Sequence, residues 1–138
     1  MLTLDANVWV SAFDPRDHFH DRSVGFLRAV ATAGLRLHGP AFLVVEVSCA
    51  LSRRSGDPAL GAAAAARLET HPALTLHAMD ERMLRTAGEV GVRHLLRAAD
   101  ALYAATAMLA EAPLVAWDAE LVSRAGGVTP DSWLETRG

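Results

Sequence analysis

The sequence of 138 residues contains no lysine, one cysteine and no long apolar run. Without a second cysteine, Cys49 cannot form an internal disulfide, which fits a reducing compartment. Cys49 lies within an apolar helical pattern and is predicted to be a small core residue. No segment approaches the roughly 18 consecutive apolar residues of a membrane span, and no basic stretch precedes an apolar one at the amino terminus, as in a secretory signal. We therefore expect a cytoplasmic protein with no membrane contact.

The missing lysine excludes several functions that act on phosphate. A P-loop NTPase needs a glycine-rich loop that ends in Gly-Lys, and the sequence has none. A phospho-acceptor receiver domain and a haloacid-dehalogenase-type phosphatase each need a lysine, and the phosphatase also needs an aspartate where Asn7 stands. All 13 basic residues are arginines, and the formal net charge of −3 disfavours an extended phosphate-binding surface. Contact with a polyanion must therefore be local, through arginines or a bound cation.

Short apolar segments alternate with amphipathic ones along the whole chain. The pattern predicts strands at 2–5, 35–38, 73–78 and 113–117, with a short last strand near Val128. It predicts helices at 6–13, 18–33, 40–54, 57–70, 80–91, 98–111 and 119–125. Such alternation is typical of an α/β protein whose parallel sheet is covered on both faces. At this length we expect one domain, residues 1–138, with its functional groups beyond the carboxyl ends of the strands.

Four carboxylates interrupt or follow apolar segments. Asp5 and Asp118 follow predicted strands, Glu46 lies about two turns into an apolar helix, and Asp100 stands between alanines at a helix start. Ionised side chains rarely occupy such places without a partner. If the four lay together, their repulsion would raise some of their pKa values, and a Mg²⁺ or Mn²⁺ ion would remove that cost. The pattern therefore predicts a divalent metal site and, because such an ion activates water and offsets phosphate charge, phosphate chemistry.

Each acid also has a purely structural interpretation. Aspartate is a favoured N-cap, so the two strand-end acids can simply cap the helices that follow. Asp100 can lie in a first helical turn, where the helix dipole favours an acid. Capping cannot explain Glu46, for which the structural alternative is a buried ion pair with Arg53 or Arg97.

Four segments in this order and at this spacing resemble the PIN-domain nucleases, and more narrowly the VapC-type toxins of toxin–antitoxin pairs. They are Leu4-Asp5-Ala6-Asn7-Val8, Glu46 in its helix, Ala98-Ala99-Asp100-Ala101-Leu102-Tyr103-Ala104-Ala105, and Leu114-Val115-Ala116-Trp117-Asp118-Ala119-Glu120-Leu121. The resemblance implies a three-layer α/β/α sandwich around a parallel sheet of four or five strands. It also implies a Mg²⁺- or Mn²⁺-dependent endoribonuclease, a homodimer, and a small antitoxin that holds it inactive.

In that family the positions that match Asp5, Asp100 and Asp118 hold the metal directly or through water, and the position of Glu46 completes the acidic pocket. The expected reaction is in-line attack of an activated water on an RNA phosphodiester, which leaves 5′-phosphate and 3′-hydroxyl ends. Many relatives have Thr or Ser where this chain has Ala116. The alternative function is therefore a PIN-like module that binds RNA or protein with weak or no nuclease activity.

RNA specificity is expected to come from arginines and aromatic side chains at the groove, because unpaired RNA is recognised by stacking and edge contacts. The candidates upstream of the third acid are Arg93, His94 and Arg97. Trp9 and Phe13 follow the first acid, and core packing is the alternative for both.

Overall fold

The computed structural model describes residues 1–137, in which four strands form one parallel sheet. The strands are β1 (Leu2–Leu4), β2 (Leu37–Pro40), β3 (Leu74–His77) and β4 (Leu114–Val115), and their order across the sheet is β3-β2-β1-β4. A parallel bridge between Val115 and Val128 extends the sheet beyond β4, where the sequence predicts a short last strand. Because β1 and β4 are neighbours, their carboxyl ends meet at one edge, and the Asp5 N–H donates to the Val115 carbonyl at 3.0 Å.

Eight helices lie within the described residues. They are α1 (Ala6–Phe13), α2 (His20–Thr32), α3 (Phe42–Ser55), α4 (Pro58–Glu69), α5 (Glu81–His94), α6 (Ala98–Ala110), α7 (Ala119–Ala125) and α8 (Pro130–Glu135). Every residue of β1 is buried, so the sheet is covered on both faces, as a three-layer α/β/α fold requires. A second, smaller apolar cluster joins α5 to α6. None of these helices combines the length and the apolar character needed to cross a bilayer.

Most predicted boundaries are shifted by one to three residues, and two elements differ in a way that the local sequence explains. Strand β2 includes Gly39 and Pro40, which the sequence pattern places before and at a helix start. Both residues pair in register with β3, whereas β1 pairs only with the first half of β2. Pro40 lies beyond the residues of β2 that pair with β1. The N–H group that proline lacks therefore costs no hydrogen bond to β1. Helix α8 is absent from the prediction although its signals are present, since Pro130 opens the helix and the Thr129 hydroxyl accepts from the Ser132 N–H at 3.1 Å.

Helix α3 also corrects the placement of the cysteine. The buried residues of this helix are Leu43, Val47 and Leu51, which recur every four positions and define one apolar stripe. Cys49 follows Val47 by two residues, about 200° further round the helix, and is exposed. The prediction of a core cysteine was therefore wrong, because the apolar pattern of α3 is wider than the face that it buries.

Candidate active site

The carboxyl end of β1 places Asp5 in the interior. Asp5 precedes α1 at the N-cap position with an extended backbone, but its side chain makes no capping hydrogen bond. The residue is 5% exposed. The capping interpretation therefore fails for Asp5, and a buried carboxylate is left at the end of the central strands without a capping hydrogen bond.

Asp118, beyond the carboxyl end of β4, combines the two predicted interpretations. Its Oδ1 accepts from the N–H groups of Glu120 at 2.9 Å and Leu121 at 3.1 Å, which caps α7. Its Oδ2 lies 3.1 Å from Nη2 of Arg97. One oxygen therefore fixes the orientation of the side chain, and the other faces a positive charge.

Asp100 lies in the first turn of α6, directly after Arg97 and two alanines. Its Oδ2 is 3.3 Å from Nε of Arg97, so a single guanidinium bridges Asp100 and Asp118. Arg97 occupies the N-cap position of α6 without any capping hydrogen bond from its side chain. The contact of Arg97 with Asp118, which lies 21 positions later in the sequence, brings the start of α6 and the end of β4 together.

Glu46 faces this cluster from α3 and is half-buried. Its Oε1 accepts a hydrogen bond from the hydroxyl of Tyr103 at 2.6 Å. Tyr103 is 1% exposed and lies on α6, one turn beyond Asp100. Among residues 1–137 Glu46 forms no ion pair, so the predicted alternative of a pair with Arg53 or Arg97 is wrong, and a neutral hydroxyl takes the place of the arginine.

The electrostatics of Asp5 show that the four acids act on one another. Burial raises the pKa of Asp5 to about 7, and the negative charges of Glu46, Asp100 and Asp118 contribute to the rise. The neighbouring Ala6 N–H offsets part of it, although this N–H does not meet the geometry of a hydrogen bond with the carboxylate. Among the described residues, the Arg97 guanidinium contacts Asp100 and Asp118 but forms no ion pair with Asp5, so the negative charge around Asp5 is not balanced.

The pKa values of Asp100 and Tyr103 are raised as well. Burial raises the pKa of Asp100 even though the Arg97 guanidinium opposes the shift. Burial also raises the pKa of Tyr103, and the adjacent Glu46 charge adds to the rise, so the phenol stays protonated and donates. The structure thus brings the four predicted acids into one electrostatic cluster, which we call the acid cluster: Asp5, Glu46, Asp100 and Asp118.

The donor set of the acid cluster suits a hard divalent cation. All four side chains offer oxygen, and the buried, raised-pKa Asp5 is the kind of group that a cation stabilises. Within the described part of the chain, no three acidic, imidazole or thiol groups form a ready-made cage. Mg²⁺ does not need one, because it keeps several waters and is usually held by one or two carboxylates. The residues therefore fit Mg²⁺ or Mn²⁺ bound partly through water.

The aromatic side chain before Asp118 was not among the predicted functional residues. Trp117 stacks on Phe19 with ring centroids 4.3 Å apart, and its Nε1–H donates to the Ser23 hydroxyl at 2.8 Å. The Arg22 guanidinium lies 5.0 Å from the Trp117 ring. The only signal in the sequence is the position of Trp117 beside Asp118, since its partners come from α2 and from the loop before it.

The predicted RNA-contact residues divide into two groups. Trp9 is 1% exposed and belongs to the main core, so core packing accounts for it. Phe13 is half-buried beneath the Arg67 guanidinium at 4.4 Å. Arg93 and His94, at the end of α5, are exposed. Arg97, also exposed, directly contacts two members of the acid cluster.

The sequence model of the PIN domain matches residues 2–127, nearly the whole chain. The chain belongs to the PIN-domain family. No curated protein sequence matches it significantly. This PIN domain is similar in structure to VapC20 of Mycobacterium tuberculosis, described as a sarcin–ricin loop cleaving toxin, with a TM-score of 0.73 and 20% identity over 89% of this chain and 94% of that one.

Two further structures share the fold. FitAcB from Neisseria gonorrhoeae has a TM-score of 0.68 and 21% identity over 96% of this chain and 99% of that one. PAE2754 from Pyrobaculum aerophilum has a TM-score of 0.65 and 18% identity over 98% of this chain and 87% of that one. Membership of the PIN-domain family is thus confirmed, and the narrower likeness to a VapC toxin holds for the fold.

Proposed function

We propose that this PIN domain is a Mg²⁺- or Mn²⁺-dependent endoribonuclease, the toxin of a toxin–antitoxin pair. The observation that carries the proposal is Asp5, a carboxylate that is 5% exposed, makes no capping hydrogen bond and faces the charges of three other acids. A protein that needed only a stable fold would gain by replacing it with an apolar residue. PIN-domain membership and the likeness to VapC20 support a nuclease toxin.

Asp5, Asp100 and Asp118 would hold the cation, directly or through water, and Glu46 would complete the pocket. When bound, the cation supplies a more acidic water and neutralises charge that builds on the phosphate. The Tyr103 hydroxyl fixes Oε1 of Glu46, which leaves Oε2 free to accept a proton from the attacking water. The Asp118 cap on α7 keeps its second oxygen directed at the site.

The expected partners follow from the same family resemblance. We propose a second copy of this chain as its dimer partner and a small antitoxin protein as its inhibitor in the cytoplasm. Exposed apolar side chains on and just after α5, among them Val92 and Leu95, leave apolar surface available for such a contact.

The proposal is tested by incubating the purified protein with end-labelled single-stranded RNA and with total RNA. We expect cleavage with Mg²⁺ or Mn²⁺, no cleavage with EDTA, and products with 5′-phosphate ends. Asp5→Ala should lower the rate by at least about 100-fold, since it removes a buried ligand. Asp14→Ala is the matched control, because Asp14 is an acid paired with Arg54 at the far end of α1.

Cleavage that survives EDTA or the loss of Asp5 would rule out this mechanism. The second candidate function, an RNA- or protein-binding module, is favoured by one observation: Ala116 is fully buried and brings no hydroxyl to the position where many relatives have Thr or Ser. Metal-dependent RNA binding without cleavage by the intact protein would support that alternative.

A further inference from the structure

Arg97 lies between two of the acids, Asp100 and Asp118. Its Nε is 3.3 Å from Oδ2 of Asp100 and its Nη2 is 3.1 Å from Oδ2 of Asp118. The Arg97 side chain is 70% exposed, whereas those of Asp100 and Asp118 are 16% and 22% exposed. The guanidinium thus comes from the solvent side and rests on two carboxylates that are themselves largely covered.

A structural role does not account for this contact. Ion pairs of an exposed arginine contribute little to stability, and the Arg97 side chain does not cap α6. An arginine guanidinium is not deprotonated in proteins. Its charge can therefore leave the site only if the side chain moves, which its exposure allows.

We propose that Arg97 is an intramolecular counter-ion of the metal-free site, which a divalent cation displaces and which then contacts the phosphate of the bound RNA. This inference rests on the proposed function. A planar guanidinium suits both partners, since it can pair with carboxylate and phosphate oxygens through two parallel N–H groups. Arg97 would thus compete with the metal in one state and assist the substrate in the next.

The two roles predict effects of opposite sign for one substitution. Loss of Arg97 removes a competitor, so the metal should bind more tightly. It also removes a phosphate contact, so RNA should bind more weakly. A residue that only kept the loop before α6 in place would weaken both when replaced, and therefore the pair of measurements separates the two explanations.

The first measurement is calorimetric titration of the full chain with Mn²⁺ at low ionic strength and without RNA, where electrostatic contacts are least screened. We expect Arg97→Gln to lower the dissociation constant for Mn²⁺ by about three- to tenfold relative to the unmodified protein, as the loss of two exposed ion pairs permits. Arg85→Gln is the control. Arg85 is similarly exposed and pairs with Glu81 on the surface of α5, so the control removes the same charge away from the site.

The second measurement is the KM for a labelled single-stranded RNA at saturating Mn²⁺. We expect this KM to rise about three- to tenfold in Arg97→Gln, in line with one lost phosphate contact, and to stay unchanged in Arg85→Gln. Arg97→Lys keeps the charge without the planar fork and should fall between the two in both measurements.

The outcomes distinguish this inference from the proposed function. If the unmodified protein binds Mn²⁺ and Arg97→Gln binds it equally or more weakly, the counter-ion role is overturned while the nuclease proposal stands. If Mn²⁺ binds neither to the unmodified protein nor to Arg97→Gln or Arg85→Gln, the metal site itself is overturned, and this inference with it. Tighter Mn²⁺ binding with an unchanged KM overturns the phosphate role.

Discussion

Two groups of acids in this PIN domain have similar exposure but opposite electrostatics. At the end of α1, the side chains of Asp14 and Asp17 are 12% and 15% exposed, close to the values for Asp100 and Asp118 in the acid cluster. The pKa of Asp14 lies below its ordinary value, whereas the pKa of Asp100 lies above it. Burial is the largest cause of the rise in the pKa of Asp100, whereas at Asp14 the hydrogen-bond donors outweigh the effect of burial.

The partners of each acid add to the difference that burial makes. A hydrogen bond from the Arg16 N–H lowers the pKa of Asp14 most, and the guanidinium of Arg54 lowers it further. Arg54 also lies 2.7 Å from Oδ2 of Asp17, which accepts the Phe19 N–H at its other oxygen. Each acid there has a cation and a backbone donor.

In the acid cluster, four carboxylates face one exposed guanidinium, and Asp5 has no ion pair among the described residues and no capping hydrogen bond. An arrangement with balanced charge can serve the fold alone. One with an excess of negative charge lowers stability and persists where function requires it. The comparison thus separates acids whose charge the fold balances from acids that we propose bind a cation, and four experiments can break or sharpen it.

The largest expected effect is a reversal of sign between Asp5→Asn and Asp14→Asn. Asp5→Asn removes repulsion, so the metal-free protein should melt roughly 3–6 °C higher, while cleavage is lost. Asp14→Asn removes attraction to Arg54, so the protein should melt lower by a similar or smaller amount, with cleavage retained. Thermal melting in EDTA, paired with the cleavage assay, measures both. Equal signs would mean that the two clusters do not differ as described.

The same pair of variants predicts the pH dependence of stability. The pKa of Asp5 rises from 3.8 in the unfolded chain to about 7 in the folded one, so the folded state holds the proton more tightly. The stabilisation from Asp5 is complete below the unfolded pKa and is lost as the pH rises through the folded pKa. In EDTA, the melting temperature of Asp5→Asn minus that of the unmodified protein should therefore grow between pH 5 and pH 8.

The titration of other groups largely cancels in that difference, because both proteins share them. His38 and His71, whose pKa values are lowered by burial, are examples. A difference that stays flat from pH 5 to pH 8 would contradict a raised pKa for Asp5. Asp14 titrates in the opposite sense, and its contribution is lost only as the pH falls through the acidic range.

A middle-sized effect is expected at the contact between Tyr103 and Glu46. Tyr103→Phe removes the hydroxyl that fixes Oε1 of Glu46 and should lower the cleavage rate about tenfold, as is usual for groups that orient an active-site carboxylate. Thr106→Val is the matched control, since it removes a buried hydroxyl one turn further along α6 that hydrogen bonds only within the helix and to Met83. Equal rates for the two variants would show that Glu46 does not depend on Tyr103.

The sequence could predict the strand-end acids, because a parallel sheet brings the ends of neighbouring strands together whatever the loops do. It could also predict that Glu46 needs a partner, since the residue lies mid-helix where capping is impossible. It could not identify that partner as Tyr103, which lies 57 positions away and meets Glu46 only through tertiary packing. The same holds for the Arg97 bridge, whose geometry depends on how the start of α6 meets the end of β4.

The predicted boundary between β2 and α3 was wrong because a local signal for a helix start competes there with strand pairing. Gly39 and Pro40 are typical of a helix start, yet pairing with β3 keeps them in β2. The capping interpretation was half right for Asp118, which uses one oxygen as a cap and leaves the other for Arg97. The role of the four acids as metal ligands stays a prediction, as does the extent of the domain over residues 1–138.

The smallest expected effect concerns Ala116, which lies at the end of β4 two residues before Asp118. The residue is fully buried, and its N–H donates to the Val128 carbonyl, so its backbone position is fixed. Ala116→Ser adds one oxygen there, and we expect the hydroxyl to help orient water or phosphate and to raise the cleavage rate about two- to threefold, the low end of the net value of one hydrogen bond. Ala105→Ser, an equally buried alanine between α6 and α5, is the control. A rate that rises only for Ala116→Ser would mean that the natural alanine limits activity without abolishing it, and therefore that the excess of acids, not the missing hydroxyl, defines this site.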